Sequence, residues 1–495
     1  MKTKIFTKLF LLALATMLLI STFVGCSGDK DSDNTDKGDQ TVSTDSEAEI
    51  ADDVLEIPDE LDFEGLDVTF LAWSDSECTE FEVDGIGGST IANSIFTRNK
   101  TIEKELGVNL KFSYTAGNVA NVDNFVATAT NASMSGAPYD IISAHTFSIA
   151  SCTIQGLSLD LGSIDPNENY LRTQKKWWNQ QIIDACSLNG SFYFVTGDIS
   201  TSFAQRIYCI YFNADKLEQM HMESPYDMVA NNTWTLENMI TMCKDTFEDE
   251  NGNTIPDIGT DFIPMNGDVY AYPALLHGCG IDYVTKNSDE TSFVAGNMES
   301  EKAINIVDDL IAAVRNDQWM LEGVKNDIFK SQKLLFALVN SDYGVGLSGV
   351  SFEYGCVPCP KYDAEQEEYI STVRQPISLF SVMNAVDPSR HSIITATLEM
   401  YAYQGYSYCT PIIFGEVMLY QTSASPEMTA MLELIRDTAY FNFGRIYATG
   451  NLNIVNAPGW SIAGGEPWSR FLSDTLPTYK NNLKIISDSY AMLSN

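Results

Sequence analysis

Residues 66–73 (LDVTFLAW), 90–106 (TIANSIFTRNKTIEKEL), 108–114 (VNLKFSY), 123–133 (DNFVATATNAS) and 139–144 (YDIISA) decide the fold of this chain. The first is a short, mostly apolar run of strand length. In the second, Ile91, Ile95, Ile102 and Leu106 recur at helical spacing, and Gly107 ends the pattern. The third alternates, as a strand does. The fourth predicts a second helix and the fifth a third strand. Strand, helix, strand, helix and strand within about 80 residues is the signature of an α/β fold on a mostly parallel sheet. Such sheets bind ligands beyond the carboxyl ends of their strands. Trp73, Asp75 and His145 lie at or just after such ends, which makes them candidate ligand contacts.

Downstream, the run IYCIYF at 207–212 predicts a buried strand, followed by a short helix at 216–220. Further helices are expected at 236–245, 299–313, 328–339, 388–403 and 426–440, with a strand and turn at 354–360. Asp387-Pro388 suits a cap followed by proline in the first turn. The tail from Phe441 reads as aromatic, glycine-rich and irregular. No internal repeat is visible.

Upstream, Lys2, Lys4 and Lys8 precede an apolar run, Leu9–Val24, that ends at Gly25-Cys26. This is the layout of a signal peptide, and the run is short for a membrane span. The small residue before the cysteine resembles the bacterial lipoprotein signal, in which the cysteine is acylated. Cys26 is therefore the expected lipidation site, residues 1–25 the signal and 26–60 a disordered acidic tether, since this segment has almost nothing apolar to bury. The expected location is the outer face of the cell membrane.

The formal net charge is -38. Such a surface repels nucleic-acid phosphates and anionic lipid, so nucleic acid is excluded as a partner. The chain beyond the tether is too long for one ordinary core and suits two domains. Nine cysteines besides Cys26 are scattered, several in apolar settings where they read as small buried hydrophobes. Cys356 and Cys359 form C-V-P-C, open to either a structural disulfide or buried thiols. The four histidines are nowhere at ligand spacing, which leaves zinc chemistry unsupported. The polar loop 249–261 carries Asp249, Asn251, Asn253, Asp257 and Asp261, but Thr254 and Thr260 stand where a helix-loop-helix calcium site needs Gly and Glu. No cofactor and no metal are expected.

Two roles remain for acids and aromatics. Asp75, Glu77, Glu80 and Asp84 could supply a glycosidase carboxylate pair, accept from sugar hydroxyls, or merely face water. Trp73, Trp177, Trp178, Trp234, Tyr270 and Tyr272 could stack on a sugar ring. Trp73 and Trp234 are the leading candidates because each borders a polar loop, and at least one of Trp177 and Trp178 is expected in the core.

Motif order adds a resemblance. P-Y-D-I-I at 138–142, L-D-L at 159–161, W-W at 177–178, F-Y-F-V-T-G-D at 192–198 and I-Y-C-I-Y-F-N-A-D at 207–215 fall in sequence. W-T-L at 234–236, V-P-C-P-K-Y-D at 357–363, A-V-D-P-S-R at 385–390 and F-N-F-G-R-I-Y at 441–447 follow. Together with the lipoprotein start, the chain resembles the extracellular solute-binding proteins of bacterial carbohydrate ABC importers, in their clostridial lipoprotein form. The resemblance implies a two-lobed, periplasmic-binding-protein-like α/β fold with a ligand cleft between lobes. One lobe would comprise about 61–205 and 375–425, the other 206–374 and 426–495. It implies a monomer that is not an enzyme and that delivers a sugar or oligosaccharide, or another small neutral solute, to permease subunits. Its ligand contacts would be Trp73, Asp75, His145, Trp234 and Tyr270 or Tyr272. The alternatives are an exported glycoside-active enzyme and a surface adhesion or scaffold protein of the same fold.

Overall fold

The computed structural model describes residues 54–76, 78, 80–324, 326–347, 349–418, 426–447 and 454–493. The expected signal, Cys26, the tether up to residue 53 and Glu77 lie outside the described residues. The tether assigned to 26–60 ends sooner than expected. Leu55 and Ile57 already pack against the core, and Glu56 pairs with Arg172 at 2.9 Å and Lys175 at 2.8 Å.

Two four-stranded sheets organise residues 54–493. We number their strands β1 (Leu66–Trp73), β2 (Val108–Thr115), β3 (Ile141–His145), β4 (Tyr208–Asn213), β5 (Ile263–Gly267), β6 (Leu334–Asn340), β7 (Tyr354–Pro358) and β8 (Ser378–Val382). The first sheet has the order β8-β3-β1-β2, and β1 runs parallel to both β2 and β3. The second has the order β5-β6-β4-β7, with β4 antiparallel to its two neighbours. Helix Thr90–Leu106 links β1 to β2. Ser89 caps it, accepting from Ala92 N, and Gly107 ends it in the left-handed region at φ 59, where a Cβ would be strained. Helix Val122–Met134 links β2 to β3.

The chain passes between the sheets at 205–208 and again at 371–378. The two passages are zipped together: Ile207 and Val373 form an antiparallel bridge, and Arg374 N donates to Arg206 O at 2.5 Å. Helix Pro426–Asp437 packs on β7.

Two stretches differ from the sequence reading. Residues 334–340 are strand β6, not the second half of a helix. β6 is central, and its first five residues are buried, so LLFAL has no polar face to reveal a period of two. The tail holds a helix of 26 residues, Trp468–Leu493, with Pro477 inside it. Leu472, Leu476, Tyr479, Leu483, Ile486 and Tyr490 form its buried stripe at helical spacing.

Trp177 and Trp178 are both core residues, and their indoles converge on one carboxylate. Glu399 accepts from Trp177 Nε1 at 3.0 Å, Trp178 Nε1 at 2.8 Å and Arg172 N at 3.0 Å. Burial raises its carboxyl to about 7, against the pull of those donors and of the Arg172 charge. The native state thus holds a proton that the unfolded chain releases near 4.5. The stability this contributes is full below that pH and is lost as pH rises through about 7. Glu399→Gln should therefore flatten the loss between those limits, read by urea unfolding across pH with tryptophan emission as the probe. Equal pH dependence in the two proteins would refute this assignment.

Candidate functional site

The carboxyl ends of both sheets meet the zipped passages, and most of the expected contacts can be placed there. β1 delivers Trp73, but its ring is only 1 % exposed. Its Nε1 donates to Ser378 Oγ at 2.9 Å, so the indole wedges β1 against the start of β8 instead of presenting a stacking face. Asp75 follows on the loop. Its Oδ2 accepts from the backbone N–H groups of Gly117 at 2.6 Å and Asn118 at 2.9 Å, and its Oδ1 from Asn121 Nδ2 at 3.0 Å. It clasps the β2 end to the β1 end.

His145 ends β3 and caps helix Thr146–Ile154, its Nδ1 accepting from Phe147 N at 3.2 Å. That bond places the ring proton on Nε2. Burial lowers the imidazole to about 4, against a raising pull from Asp75, so the ring is neutral at physiological pH. His145 is a fixed, uncharged donor, edge-on to Trp73 with ring centroids 5.9 Å apart.

On the second sheet, Tyr270 is 48 % exposed on the loop after β5, where its N–H donates to Asp268 Oδ1 at 2.7 Å. The stacking expected of Trp234 and Tyr272 is corrected: both are fully enclosed. Trp234 Nε1 donates to Pro358 O at 2.8 Å, and Tyr272 Oη to Met320 O at 2.9 Å. The polar flanks of Trp234 misled because Thr235 is a helix cap, accepting from Asn238 N at 3.3 Å, while the indole turns inward.

Sequence reasoning missed the cationic part of this edge. Tyr208, the first residue of β4, has the guanidinium of Arg374 5.9 Å from its ring centroid and that of Arg445 at 5.8 Å. Arg374 also reaches Asp268 Oδ2 at 3.4 Å. Gln375 Nε2 donates to Thr146 Oγ1 at 2.9 Å and to Arg445 O, joining the first sheet's edge to helix Phe443–Ile446. The only signal was the placement of R-I-Y at 206–208 and R-Q-P at 374–376 around strands. Nothing local marks them as partners.

Two of the candidate acids, Asp75 and Glu80, are committed to the protein, while Asp84 is exposed. Glu80 is buried and accepts from Ser200 Oγ, Ser202 N, Ser202 Oγ and Ser378 Oγ. Asp75 is held as described above. Among the described residues no group of three His, Cys, Asp or Glu side chains is placed to hold a metal. In the 249–261 loop, Asp249 accepts from Gly252 N and Thr254 N, and Asp257 from Asn251 and Asn253. Cys356 and Cys359 are buried free thiols.

Solved structures share this arrangement. A cyclic α-maltosyl-1,6-maltose binding protein from Arthrobacter globiformis superposes with a TM-score of 0.56 at 12% identity, over 86% of this chain and 100% of that one. This chain has the periplasmic-binding-protein fold. A cyclo/maltodextrin-binding protein complexed with maltotetraose gives 0.54 at 12% identity, over 85% and 98%. An ABC substrate-binding protein from Listeria monocytogenes, in complex with cycloalternan, gives 0.51 at 11%, over 85% and 98%. No family model matches the chain, and no curated protein does.

Proposed function

We propose that the protein is a lipid-anchored extracellular solute-binding protein that captures a sugar or oligosaccharide and passes it to ABC permease subunits. The observation that carries this reading is the joint edge itself. An exposed ring at Tyr270, a fixed neutral donor at His145 and hydrogen-bonding groups at Asp268 and Gln375 come from both sheets onto one pair of zipped passages. Rings and fixed polar groups of this kind suit a pyranose, whose faces are apolar and whose edges are hydroxyls. Two solved structures of the same fold are described in complex with cycloalternan and with maltotetraose, which supports the class of solute without naming it. The commitment of Asp75 and Glu80 to protein donors favours capture over glycoside cleavage.

A ligand present at a hundred times its dissociation constant stabilises its binder by about 2.7 kcal/mol. For a chain of this size that should raise the melting temperature by a few degrees. The mature protein should show such a rise with at least one member of a panel of mono- and oligosaccharides at millimolar concentration. Tyr270→Ala should weaken that binding about tenfold, the worth of one stacking ring. A panel with no shift would remove the sugar assignment, and an unchanged affinity would remove Tyr270.

A further inference from the structure

Arg445 is 3 % exposed, and its Nε and Nη2 are enclosed without a hydrogen-bond acceptor. It takes part in none of the ion pairs among the described residues. A buried guanidinium without a counter-charge is costly, by several kcal/mol for an isolated ion. Around it lie the Tyr208 ring, with its centroid 5.8 Å from the guanidinium, and His277 and Tyr283, which feel its charge. Burial, with Arg445 adding to it, lowers His277 to about 3. Neither neighbour offers a negative charge at neutral pH.

Two more guanidiniums stand at the same passages. Arg374 faces the same tyrosine, with its side chain 35% exposed. Arg206 has a buried Nε with no acceptor. The carboxylates beside them are Asp268, near Arg374, and Asp342, whose charge interacts with Arg206 and Arg374. Asp282 lies 3.9 Å from His277 Nε2 and acts on Tyr283 alongside Arg445, yet none of these three carboxylates forms an ion pair with Arg445 among the described residues, in a chain with only 29 basic residues and a net charge of -38.

We propose that the bound sugar carries a carboxylate, as in a uronic-acid-containing oligosaccharide, and that Arg445 together with Arg374 receives it. This rests on the sugar-capture reading above. A sugar hydroxyl can accept from a guanidinium but leaves its charge unmatched. A carboxylate matches it and fits the planar fork with paired hydrogen bonds. One unpaired guanidinium suits a monoanion, whereas a phosphate dianion would be repelled by Asp268, Asp342 and Asp282.

The test is calorimetry on the mature protein with matched ligands: galactose against galacturonate, cellobiose against cellobiouronate, and glucose 6-phosphate. A uronate should bind at least tenfold tighter than its neutral partner, and less tightly as salt rises. Arg445→Gln should cost the uronate at least tenfold more affinity than it costs the neutral partner, and Arg445→Lys should keep part of the preference. If Arg445→Gln does not fold, Arg374→Gln, at a more exposed position, should reduce the preference instead. Neutral sugars binding as well as or better than uronates would overturn the carboxylate subsite and leave sugar capture standing. So would equal losses for both ligand classes in Arg445→Gln. Tighter binding of glucose 6-phosphate than of any uronate would replace the carboxylate by a phosphate. Binding of none of these would remove the sugar-capture reading and the subsite with it.

Discussion

Asp140→Ala should cost about 3 kcal/mol of stability, the low end of what breaking a buried ion pair costs. Asp140 is 3 % exposed and precedes β3. Its Oδ1 accepts from Arg390 Nε at 2.6 Å, and its Oδ2 from Arg390 Nη2 at 2.8 Å, Thr69 N at 2.7 Å and Thr69 Oγ1 at 2.9 Å. One carboxylate therefore holds β1, the entry to β3 and the lead-in to helix His391–Gln404. Removing it strands a guanidinium and leaves the backbone N–H of Thr69 without that acceptor. Arg390 is about a third exposed, at 31%, so water takes up part of the loss. The expected reading is a lower urea midpoint at an unchanged slope. Removing Arg390 as well should destabilise by less than the two single losses together. A loss below about 1 kcal/mol for Asp140→Ala would mean that the pair is no more than a surface contact.

The second large effect belongs to Glu80. Glu80→Ala should cost about 2 to 3 kcal/mol and weaken ligand binding as well. Its carboxylate gathers the start of helix Thr201–Gln205, which leads into the first passage, and Ser378, which opens β8 after the second. Ser378 in turn receives Trp73 Nε1. The loop after β1 and both passages are thus pinned by one side chain. Its loss leaves several enclosed hydroxyls without their acceptor and frees Trp73. Binding should suffer because Arg374, Gln375 and His145 are aligned by the same elements. The measurement is paired, with unfolding free energy and sugar affinity taken on one preparation. Lost stability with untouched affinity would show that Glu80 does not position the site.

Of the fold, the first sheet was legible. Its strands carry clear periods, and Gly107 punctuates helix and strand where a left-handed residue is required. The second sheet was legible only at β4 and β7. β6 carries no alternation, because a central strand shielded on both sides has no solvent face to record one. The long C-terminal helix did carry its stripe, but Pro477 and the polar residues between the buried positions obscured it.

Of the candidate site, the strand-end rule placed His145 at the end of β3 and Asp75 on the loop after β1, where the structure has them, and Tyr270 stands exposed on the loop after β5. The rule that a tryptophan beside polar residues faces a ligand failed at Trp73 and Trp234. Polar neighbours there serve caps and clasps while the ring turns inward.

The amino-acid order alone therefore determined the alternation of strands and helices in the first sheet, the acidic charge and the lipoprotein-like layout expected of the N-terminus. Each is a property of neighbours in sequence, written in periodicity and composition. Only the tertiary structure decided which aromatics are buried, which acids are already committed, and that Arg374 and Arg445 gather around Tyr208. Those depend on contacts between residues hundreds of positions apart, and no local pattern encodes the distance between two guanidiniums and one ring.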